Sequence, residues 1–206
     1  MITIKNRYDN ISLKTAIINS ANKELIDFLN DYIINIEEKL NNCNNLIISG
    51  AVGTGKTYLC KCFINDVVKQ KLEFERFGDA VYNKKTGKYE RLIIVEKRNI
   101  KALMINLYNL IEDIRKTYNG EMSNYDYKEF DILIIDEIGV QRNTDDERFL
   151  LYDIVNYRNE NFKPTFIITN FKTEKEIAMV LGLRILDRII ENAKIIKLDG
   201  ASWRRN

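Results

Sequence analysis

Wholly apolar runs and helically spaced apolar positions follow one another along the chain, and this pattern predicts strands that alternate with helices. Short apolar runs rich in β-branched residues predict buried strands, and apolar residues three or four positions apart predict amphipathic helices. The predicted strands are residues 46–49, 92–95, 132–135, 165–169 and 194–198. The predicted helices are residues 20–40, 56–70, 100–118, 148–159, 173–181 and 183–191. Such alternation indicates βαβ units, so we expect a mainly parallel five-stranded sheet with helices on both faces.

One segment, residues 74–91, departs from this alternation. Two short β-prone pieces flank a polar turn that contains Gly87. A polar turn between two such pieces is typical of a β-hairpin. We therefore predict a hairpin that is inserted before the second strand or is continuous with it.

The length and composition indicate one globular domain. The chain has 206 residues, of which 45% are hydrophobic and 30% are charged. These fractions are ordinary for a globular protein. We expect a linker and first helix over residues 1–45, a core over residues 46–200 and a short tail over residues 201–206. No apolar run approaches the roughly 20 residues that span a bilayer, so no membrane segment is expected.

The charge and the reactive side chains exclude several classes of protein. A net charge of +2 gives no sign of nucleic-acid binding by the whole molecule, although a local basic face is compatible with it. The absence of histidine removes the usual zinc ligand and every Ser–His or Cys–His mechanism. The three cysteines, Cys43, Cys60 and Cys62, are too few for a disulfide framework and favour a reducing, cytoplasmic location.

The segment after the first predicted strand matches the P-loop pattern G-x-x-x-x-G-K-[ST] at every position. Glycines let the backbone curl so that successive N–H groups surround phosphates, and the start of the following helix adds positive potential. We expect Lys56 to reach the β- and γ-phosphates of ATP, and the Thr57 hydroxyl to bind Mg²⁺. The residues predicted to contact the nucleotide here are Gly50, Ala51, Val52, Gly53, Thr54, Gly55, Lys56, Thr57 and Tyr58.

Two carboxylates follow the third predicted strand. That strand delivers Asp136 to its C-terminal end, where ligands gather in open α/β sheets. Asp136 is the expected Walker B carboxylate, holding Mg²⁺ together with Thr57. Glu137 comes next and is the candidate general base for the attacking water. Asp131 begins the strand, lies at the opposite edge and is expected to be structural.

A polar pair, Thr169 and Asn170, ends the fourth predicted strand. In P-loop ATPases with an additional strand, that strand lies between the P-loop strand and the Walker B strand. Asn170 would then lie beside the γ-phosphate and orient the lytic water, with Thr169 in support. The alternative is that Asn170 is a turn residue or a helix cap.

Two arginines, Arg184 and Arg188, lie four positions apart in the last predicted helix, with Asp187 beside them. An arginine here can reach a γ-phosphate that a neighbouring subunit holds. On the residue pattern alone, the favoured interpretation is a surface helix with solvated arginines and a local Asp–Arg pair.

Taken together, these motifs resemble the DnaC/DnaI branch of AAA+ ATPases, the bacterial and phage helicase loaders, with the IstB transposition helpers as close relatives. The resemblance covers nearly the whole chain. It is carried by the P-loop, the Asp-Glu-Ile-Gly run from Asp136, the Thr-Asn pair, the Arg-x-x-x-Asp-Arg segment and the Ser-aromatic-Arg ending at Arg204. It implies an AAA+ core without a C-terminal helical lid.

The resemblance also implies roles for individual residues. Arg188 looks like the arginine finger that acts on a neighbouring subunit's ATP, and Arg184 and Arg204 look like weaker candidates for phosphate sensing. Tyr8 and Ile11 fall where family members pass a linker across the adenine, so they are expected to line the base pocket.

Residues 99–118 lie where helicase loaders carry an extra helix that faces single-stranded DNA. The cations available there for phosphates are Lys97, Arg98, Lys101, Arg115 and Lys116. A solvated helix face is the alternative interpretation of these five residues.

The function that the resemblance implies is a helicase-loader ATPase that assembles into homo-oligomers with ATP, acts with a replicative helicase and contacts single-stranded DNA. The alternative is an IstB-like helper that assembles on DNA and recruits a transposase. A small-molecule kinase is disfavoured because Asp136, Glu137 and Asn170 form an arrangement that positions water. A nucleotide switch without turnover is disfavoured by the intact Glu137.

Overall fold

A parallel sheet of five strands lies at the centre of the molecule. The computed structural model describes residues 10–83, 85–139 and 144–200. The strands are β1 (Asn45–Gly50), β4 (Ala102–Asn106), β5 (Ile132–Ile138), β6 (Thr165–Thr169) and β7 (Ala193–Leu198). Their order across the sheet is β4-β5-β6-β1-β7, and every neighbouring pair is parallel. The predicted parallel five-stranded sheet is therefore confirmed, with β6 between β1 and β5.

Helices cover both faces of this sheet, as the sequence predicts. One face packs against α1 (Lys23–Ile34), α2 (Ile36–Asn41) and α3 (Lys56–Val67). The other face packs against α4 (Leu107–Tyr118), α5 (Asp145–Glu160), α6 (Glu174–Leu181) and α7 (Leu183–Ile190). Alternate residues of each central strand enter the two cores, which explains the unbroken apolar runs at residues 46–48, 132–135 and 166–168. No helix in the described ranges has the length and apolar character needed to cross a membrane.

The strand predicted at residues 92–95 does not belong to the central sheet, and this prediction is wrong. The strand next to β5 is β4, within the segment predicted as one helix over residues 100–118. The helix α4 begins only at Leu107, where the Asn106 side chain accepts a hydrogen bond from the Asn109 backbone N–H. The apolar residues before Asn106 are extended because they pair with the edge of β5, a tertiary contact that helical spacing cannot reveal.

The predicted hairpin is confirmed but is longer than expected. It consists of β2 (Lys71–Asn83) and β3 (Lys88–Asn99), which pair with each other in an antiparallel two-stranded sheet. The residues predicted as the second strand of the core are part of β3. At the base of the hairpin, the Ile100 N–H donates to the Gln70 carbonyl. The hairpin therefore leaves and rejoins the core at one point, between α3 and β4.

A buried arginine ties together the edge of the sheet at which β5 and β6 begin. Arg158 on α5 is 0% exposed, and its guanidinium donates to the Thr165 hydroxyl and to the backbone carbonyls of Tyr127, Lys128, Phe130 and Pro164. Burial lowers the pKa of Arg158 to about 10, so the side chain stays charged at neutral pH. Its hydrogen bonds hold the two segments that enter β5 and β6.

A buried carboxylate organises the loop after α4. Asp113 is 4% exposed and accepts hydrogen bonds from the Ser123 hydroxyl, the Tyr127 hydroxyl and the Asn124 backbone at 2.7 to 2.8 Å. It also pairs with Lys116 at 3.0 Å. Burial raises the pKa of Asp113, but these hydrogen bonds outweigh it and hold the pKa well below its usual range.

Replacing Asp113 with asparagine is expected to lower the free energy of unfolding at pH 7 by about 2 to 3 kcal/mol, because hydrogen bonds to a charged group are lost. The folded-state pKa lies below the unfolded value of about 3.9. The stabilisation is therefore complete above the unfolded pKa and is lost as the pH falls through the folded pKa. Urea unfolding at several pH values should show a difference from wild type that shrinks below about pH 4. Asp27→Asn, an exposed aspartate, is the control; an equal loss for both variants at pH 7 would contradict the prediction.

Candidate functional site

The P-loop lies between β1 and α3, and its glycines have the conformations that the motif requires. Gly53 and Gly55 have φ angles of 85° and 93°, values that other residues rarely adopt. A Cβ atom at Gly55 would meet nothing within 4 Å, so the backbone here borders open space. A Cβ atom at Gly50 would lie 2.3 Å from the Leu198 carbonyl oxygen, so Gly50 is needed for packing against β7.

Lys56 connects the P-loop to the polar end of β6. It is 6% exposed, and its Nζ atom donates to the carbonyls of Gly50 and Ala51 at 2.7 and 2.8 Å. The same Nζ donates to Asn170 Oδ1 at 3.0 Å. Burial lowers the pKa of Lys56, and the nearby Asp136 carboxylate acts against this shift. The structure thus brings together Lys56 and Asn170, two residues that the sequence predicts for catalysis.

Thr57 and Asp136 form the second connection across the site. The Thr57 hydroxyl donates to Asp136 Oδ2 at 2.8 Å, and the other oxygen of Asp136 accepts from the Glu137 backbone at 2.7 Å. Mg²⁺ prefers one or two protein oxygens together with phosphate oxygens and waters. A hydroxyl and a carboxylate side by side at the start of α3 fit that preference. These two residues would hold the metal.

Glu137 has an unusual backbone conformation at the end of β5. Its φ angle is 57°, in the left-handed region that residues other than glycine seldom occupy. The pairing of β5 with β6 shifts register between Ile135 and Ile138, which is where Glu137 lies. The Glu137 side chain is exposed and lines the same cavity as the P-loop. Such strain is often found where a side chain must be directed into a site.

Thr169 and Phe171 hold the turn that follows Glu137. The Thr169 hydroxyl donates to the Ile138 carbonyl at 3.3 Å and accepts from the Phe171 N–H at 3.2 Å. Gly139 has a φ angle of 116°, and a Cβ atom there would lie 2.7 Å from the Phe171 ring. Thr169 therefore links the ends of β5 and β6, and its support of Asn170 stays a prediction.

Replacing Thr169 with valine is expected to lower ATP turnover by about tenfold, because a small displacement of a catalytic side chain is costly. Valine keeps the shape but loses both hydrogen bonds, whereas Thr169→Ser retains the hydroxyl and should restore turnover. Nucleotide affinity, measured by fluorescence titration, should change little in either variant. Equal turnover in the valine and serine variants would rule out a positioning role for the hydroxyl.

A cavity of about 460 Å³ lies above these residues. This volume is within the range of small-molecule sites. Its polar wall is formed by P-loop residues and the ends of β5 and β6, and the lining residues include Val52, Gly53, Thr54, Gly55, Lys56, Thr57, Tyr58, Asp136, Glu137, Thr169 and Asn170. Gly50 and Ala51 contact Lys56 rather than the cavity, because their backbone carbonyls accept hydrogen bonds from its Nζ atom. Ten of the fifteen predicted nucleotide-binding and catalytic residues thus line one cavity.

The side of the cavity nearest α1 differs from the prediction. Ile17 and Asn22 line it, whereas Ile11 packs against the hydrophobic core and its carbonyl accepts from the Asn65 side chain. Ile11 does not line the cavity in the described part of the chain, and its contact with the base stays a prediction; Tyr8 lies outside the described residues. Asn22 is 4% exposed and donates to the Ile17 carbonyl at 2.8 Å. The turn-forming residues at 19–22 were the sequence signal that could have placed this segment at the wall of the cavity.

Arg184 and Arg188 lie on α7 and do not line this cavity within the described part of the chain. Arg184 is exposed, Arg188 is partly exposed, and the Arg188 carbonyl accepts from the Asn159 side chain at 2.6 Å. This arrangement does not support a role for Arg184 or Arg188 at the cavity of their own chain. The role of Arg188 on a neighbouring subunit stays a prediction, and Arg204 lies outside the described residues.

The five cations predicted to face DNA do not lie on one helix. Lys97 and Arg98 belong to β3, Lys101 lies between β3 and β4, and only Arg115 and Lys116 belong to α4. Four of them pair with carboxylates, in the pairs Lys97–Glu73, Arg98–Asp131, Arg115–Asp146 and Lys116–Asp113. The helix predicted over residues 100–118 is therefore not a common platform for these cations, and their contact with DNA stays a prediction. Asp131 is structural, as predicted, because it holds Arg98.

Comparisons with known proteins place this site in a family. The sequence profile described as IstB-like ATP binding protein matches residues 104–206. The uncharacterized protein YdaV of Escherichia coli (strain K12) is 28% identical over 82% of this chain and 59% of its own length. Replicative helicase loader DnaC of the same strain is 28% identical over 75% of this chain and 53% of its own length. The chain thus spans little more than half the length of these relatives.

Solved structures share the fold. The crystal structure of the DnaC helicase loader has a TM-score of 0.69 and 20% identity, over 94% of this chain and 99% of that one. The crystal structure of DnaI has a TM-score of 0.66 and 19% identity, over 94% of this chain and 90% of that one. Replication initiator DnaA bound to AMPPCP and single-stranded DNA has a TM-score of 0.65 and 15% identity, over 94% and 51% of the two chains. The fold is that of a P-loop NTPase, and the profile match, which covers half of the sequence, shows that the chain belongs to the IstB-like ATP-binding protein family.

Proposed function

We propose that this protein is an Mg²⁺-dependent ATPase that acts in DNA replication as a helicase loader. The observation that carries the enzymatic part is the pair of contacts across the cavity, Lys56 with Asn170 and Thr57 with Asp136. They bring the P-loop, the Walker B carboxylate and the polar end of β6 within hydrogen-bond reach of one another. This is the set of groups that hydrolysis of a terminal phosphate requires.

Each residue has a role in this proposal. The P-loop N–H groups and Lys56 bind the β- and γ-phosphates, and Lys56 stabilises the negative charge that develops on them. Thr57 and Asp136 would hold Mg²⁺, which neutralises phosphate charge when it is bound. Asn170 orients the attacking water through its side-chain amide. Ile17 and Asn22 lie where they would border the base and sugar.

Glu137 completes the reaction. Its carboxylate accepts a proton from the water as the water oxygen forms a bond to the γ-phosphorus. The bond between the γ-phosphorus and the bridging oxygen breaks, and its electron pair leaves with ADP. The exposed position of Glu137 at the cavity gives the water access to this carboxylate.

The biological setting is proposed from the family. We treat residues 1–206 as one AAA+ domain that assembles into homo-oligomers with ATP, with Arg188 of each subunit completing the next site. The 28% identity to relatives named replicative helicase loader supports a replicative helicase as the partner and single-stranded DNA as a ligand. The chain spans about half the length of those relatives.

A second candidate function is favoured by the family profile itself, whose description is IstB-like ATP binding protein. In that case the chain would assemble on DNA and recruit a transposase. The two functions share the ATPase site and differ in the partner. Affinity purification with a replicative helicase and with a transposase from the same genome would distinguish them.

The test of the proposed function is ATP turnover with and without single-stranded DNA, together with size-exclusion chromatography in a non-hydrolysable ATP analogue. We expect Mg²⁺-dependent turnover that single-stranded DNA stimulates, and a larger assembly with the analogue than without nucleotide. A monomer whose turnover responds to neither Mg²⁺ nor DNA would overturn the proposal.

A further inference from the structure

The hairpin formed by β2 and β3 is the largest part of the fold that the ATPase site does not use. Each strand has 12 or 13 residues, so the ribbon is about 40 Å long at roughly 3.3 Å per residue. Its strands pair with each other and, within the described residues, with no strand of the central sheet. A ribbon of this length can present residues far from the nucleotide.

The tip of this ribbon combines exposed aromatic rings with positive charge. Tyr82 and Tyr89 are directly opposite each other, and their ring centroids are 5.3 Å apart. Their side chains are 51% and 74% exposed, so both rings keep a free surface. Arg91 lies two positions from Tyr89 and is therefore on the same face of the ribbon. Lys85 and Lys88 are exposed in and beside the turn.

The charges of the tip differ from those of the base. At the base, Lys97 pairs with Glu73, and Arg98 pairs with Asp131. Residues 80–89 include three lysines and no acidic residue. Among the side chains that the structure describes, no carboxylate pairs with Lys85, Lys88 or Arg91. Glu90 lies between Tyr89 and Arg91, and with three lysines and Arg91 the sequence from residue 80 to residue 91 still has a net charge of +3.

This combination suits single-stranded DNA better than a protein partner. Lysine is depleted in protein–protein interfaces, whereas lysines beside exposed aromatic rings are typical of single-strand binding. The cations attract phosphates, and the rings offer stacking surfaces for unpaired bases, which a duplex does not present. We propose that the hairpin tip, defined by Tyr82, Lys85, Lys88, Tyr89 and Arg91, binds single-stranded DNA. The inference deepens the proposed DNA-linked ATPase and rests on it for its biological setting.

The test measures binding of the full chain to a fluorescein-labelled oligothymidylate of 30 nucleotides by anisotropy, without nucleotide. The variant Lys85→Ala/Lys88→Ala/Arg91→Ala should bind about tenfold or more weakly, with a salt dependence reduced by about 2 in log–log slope for three lost phosphate contacts. The matched control Lys14→Ala/Lys172→Ala/Lys175→Ala removes the same charge from exposed positions elsewhere. It should retain affinity to within about threefold, since it lacks direct phosphate contacts.

The aromatic contribution is tested separately. Tyr89→Ala should weaken binding by about tenfold, and Tyr89→Phe, which keeps the ring, should restore it. Tyr125→Ala removes a tyrosine that is 48% exposed and lies outside both the hairpin and residues 99–118, and it should have no effect. Thermal unfolding of each variant shows whether the substitution in the hairpin has changed the stability of the core.

Three outcomes would overturn the assignment. The first is wild-type protein that does not bind the oligonucleotide, and the second is equal weakening by the tip and control triple variants. The third is tighter binding to a 30-base-pair duplex than to the single strand. Basal ATP turnover, measured without DNA, should be unchanged in the tip variants. If wild type lacks turnover, the proposed ATPase fails, and the DNA titration still decides the tip assignment.

Discussion

Replacing Glu137 with glutamine is expected to lower ATP turnover by about a thousandfold, which lies within the range for loss of a general base. Glutamine has nearly the same shape but cannot accept a proton from water. The groups that bind the phosphates, Lys56 and the P-loop backbone, are unchanged. Nucleotide affinity should therefore be retained or improved.

Single-turnover hydrolysis and fluorescence titration measure the two quantities separately. Glu121→Gln, the same chemical change at an exposed position, is the control and should behave as wild type. If turnover of the Glu137→Gln variant stayed within about tenfold of wild type, the loss of turnover would be smaller than removal of a general base causes. In that case Glu137 would not be the base, and the strained turn at the end of β5 would need another explanation.

Replacing Arg188 with alanine is also expected to lower turnover by about a thousandfold, as for other arginine fingers, with nucleotide binding spared. The reason is geometric. Arg188 is on α7, outside the cavity of its own chain, so it can contribute to hydrolysis only across a subunit contact. Arg184→Ala is the neighbouring control and should have a smaller effect. Equal loss of binding and hydrolysis in Arg188→Ala would contradict the proposed role.

Mixing the two inactive variants provides the sharper test. A subunit with Arg188→Ala keeps Glu137, and a subunit with Glu137→Gln keeps Arg188. In a head-to-tail ring formed by random mixing, roughly a quarter of the contacts would combine both intact residues. Activity should therefore reappear in the mixture. An inactive mixture that still co-assembles would indicate that the two residues do not share a site.

The nucleotide site could be predicted from sequence because its elements are local. A strand, a glycine-rich turn and a helix are contiguous around Lys56. Asp136 directly follows the apolar run at residues 132–135, and Asn170 comes two residues after the apolar run at residues 166–168. Parallel strands bring their carboxyl ends to one edge, so the three segments had to meet. The contacts of Lys56 with Asn170 and of Thr57 with Asp136 follow from that topology.

The errors arose where long-range pairing decides the structure. Residues 102–106 fit the helical spacing of the segment that follows, and only pairing with β5 makes them a strand. Likewise, residues 92–95 are apolar enough for a core strand but pair with β2 instead. The wall of the cavity near α1 was not anticipated either, because the turn that ends at Asn22 brings Ile17 to the cavity that the P-loop lines.

Two buried charges were not anticipated at all. Arginine and aspartate are seldom fully buried, so sequence patterns assign them to the surface. Arg158 and Asp113 are buried because backbone carbonyls, hydroxyls and N–H groups that lie outside their own helices, six or more residues away, satisfy them. No local pattern around either residue contains those partners.

The hairpin joins the core at a single point, so its length can vary without displacing the core. Its two strands begin and end beside each other, where Ile100 bonds to Gln70, and successive cross-strand pairs extend outward from that point. A pair of facing residues can be removed or added without moving α3 or β4, at a small cost in loop closure. The reach of the tip is therefore adjustable in steps of one residue pair, independently of the chemistry at the nucleotide. Evolution or design could alter what the tip contacts while leaving the ATPase core intact.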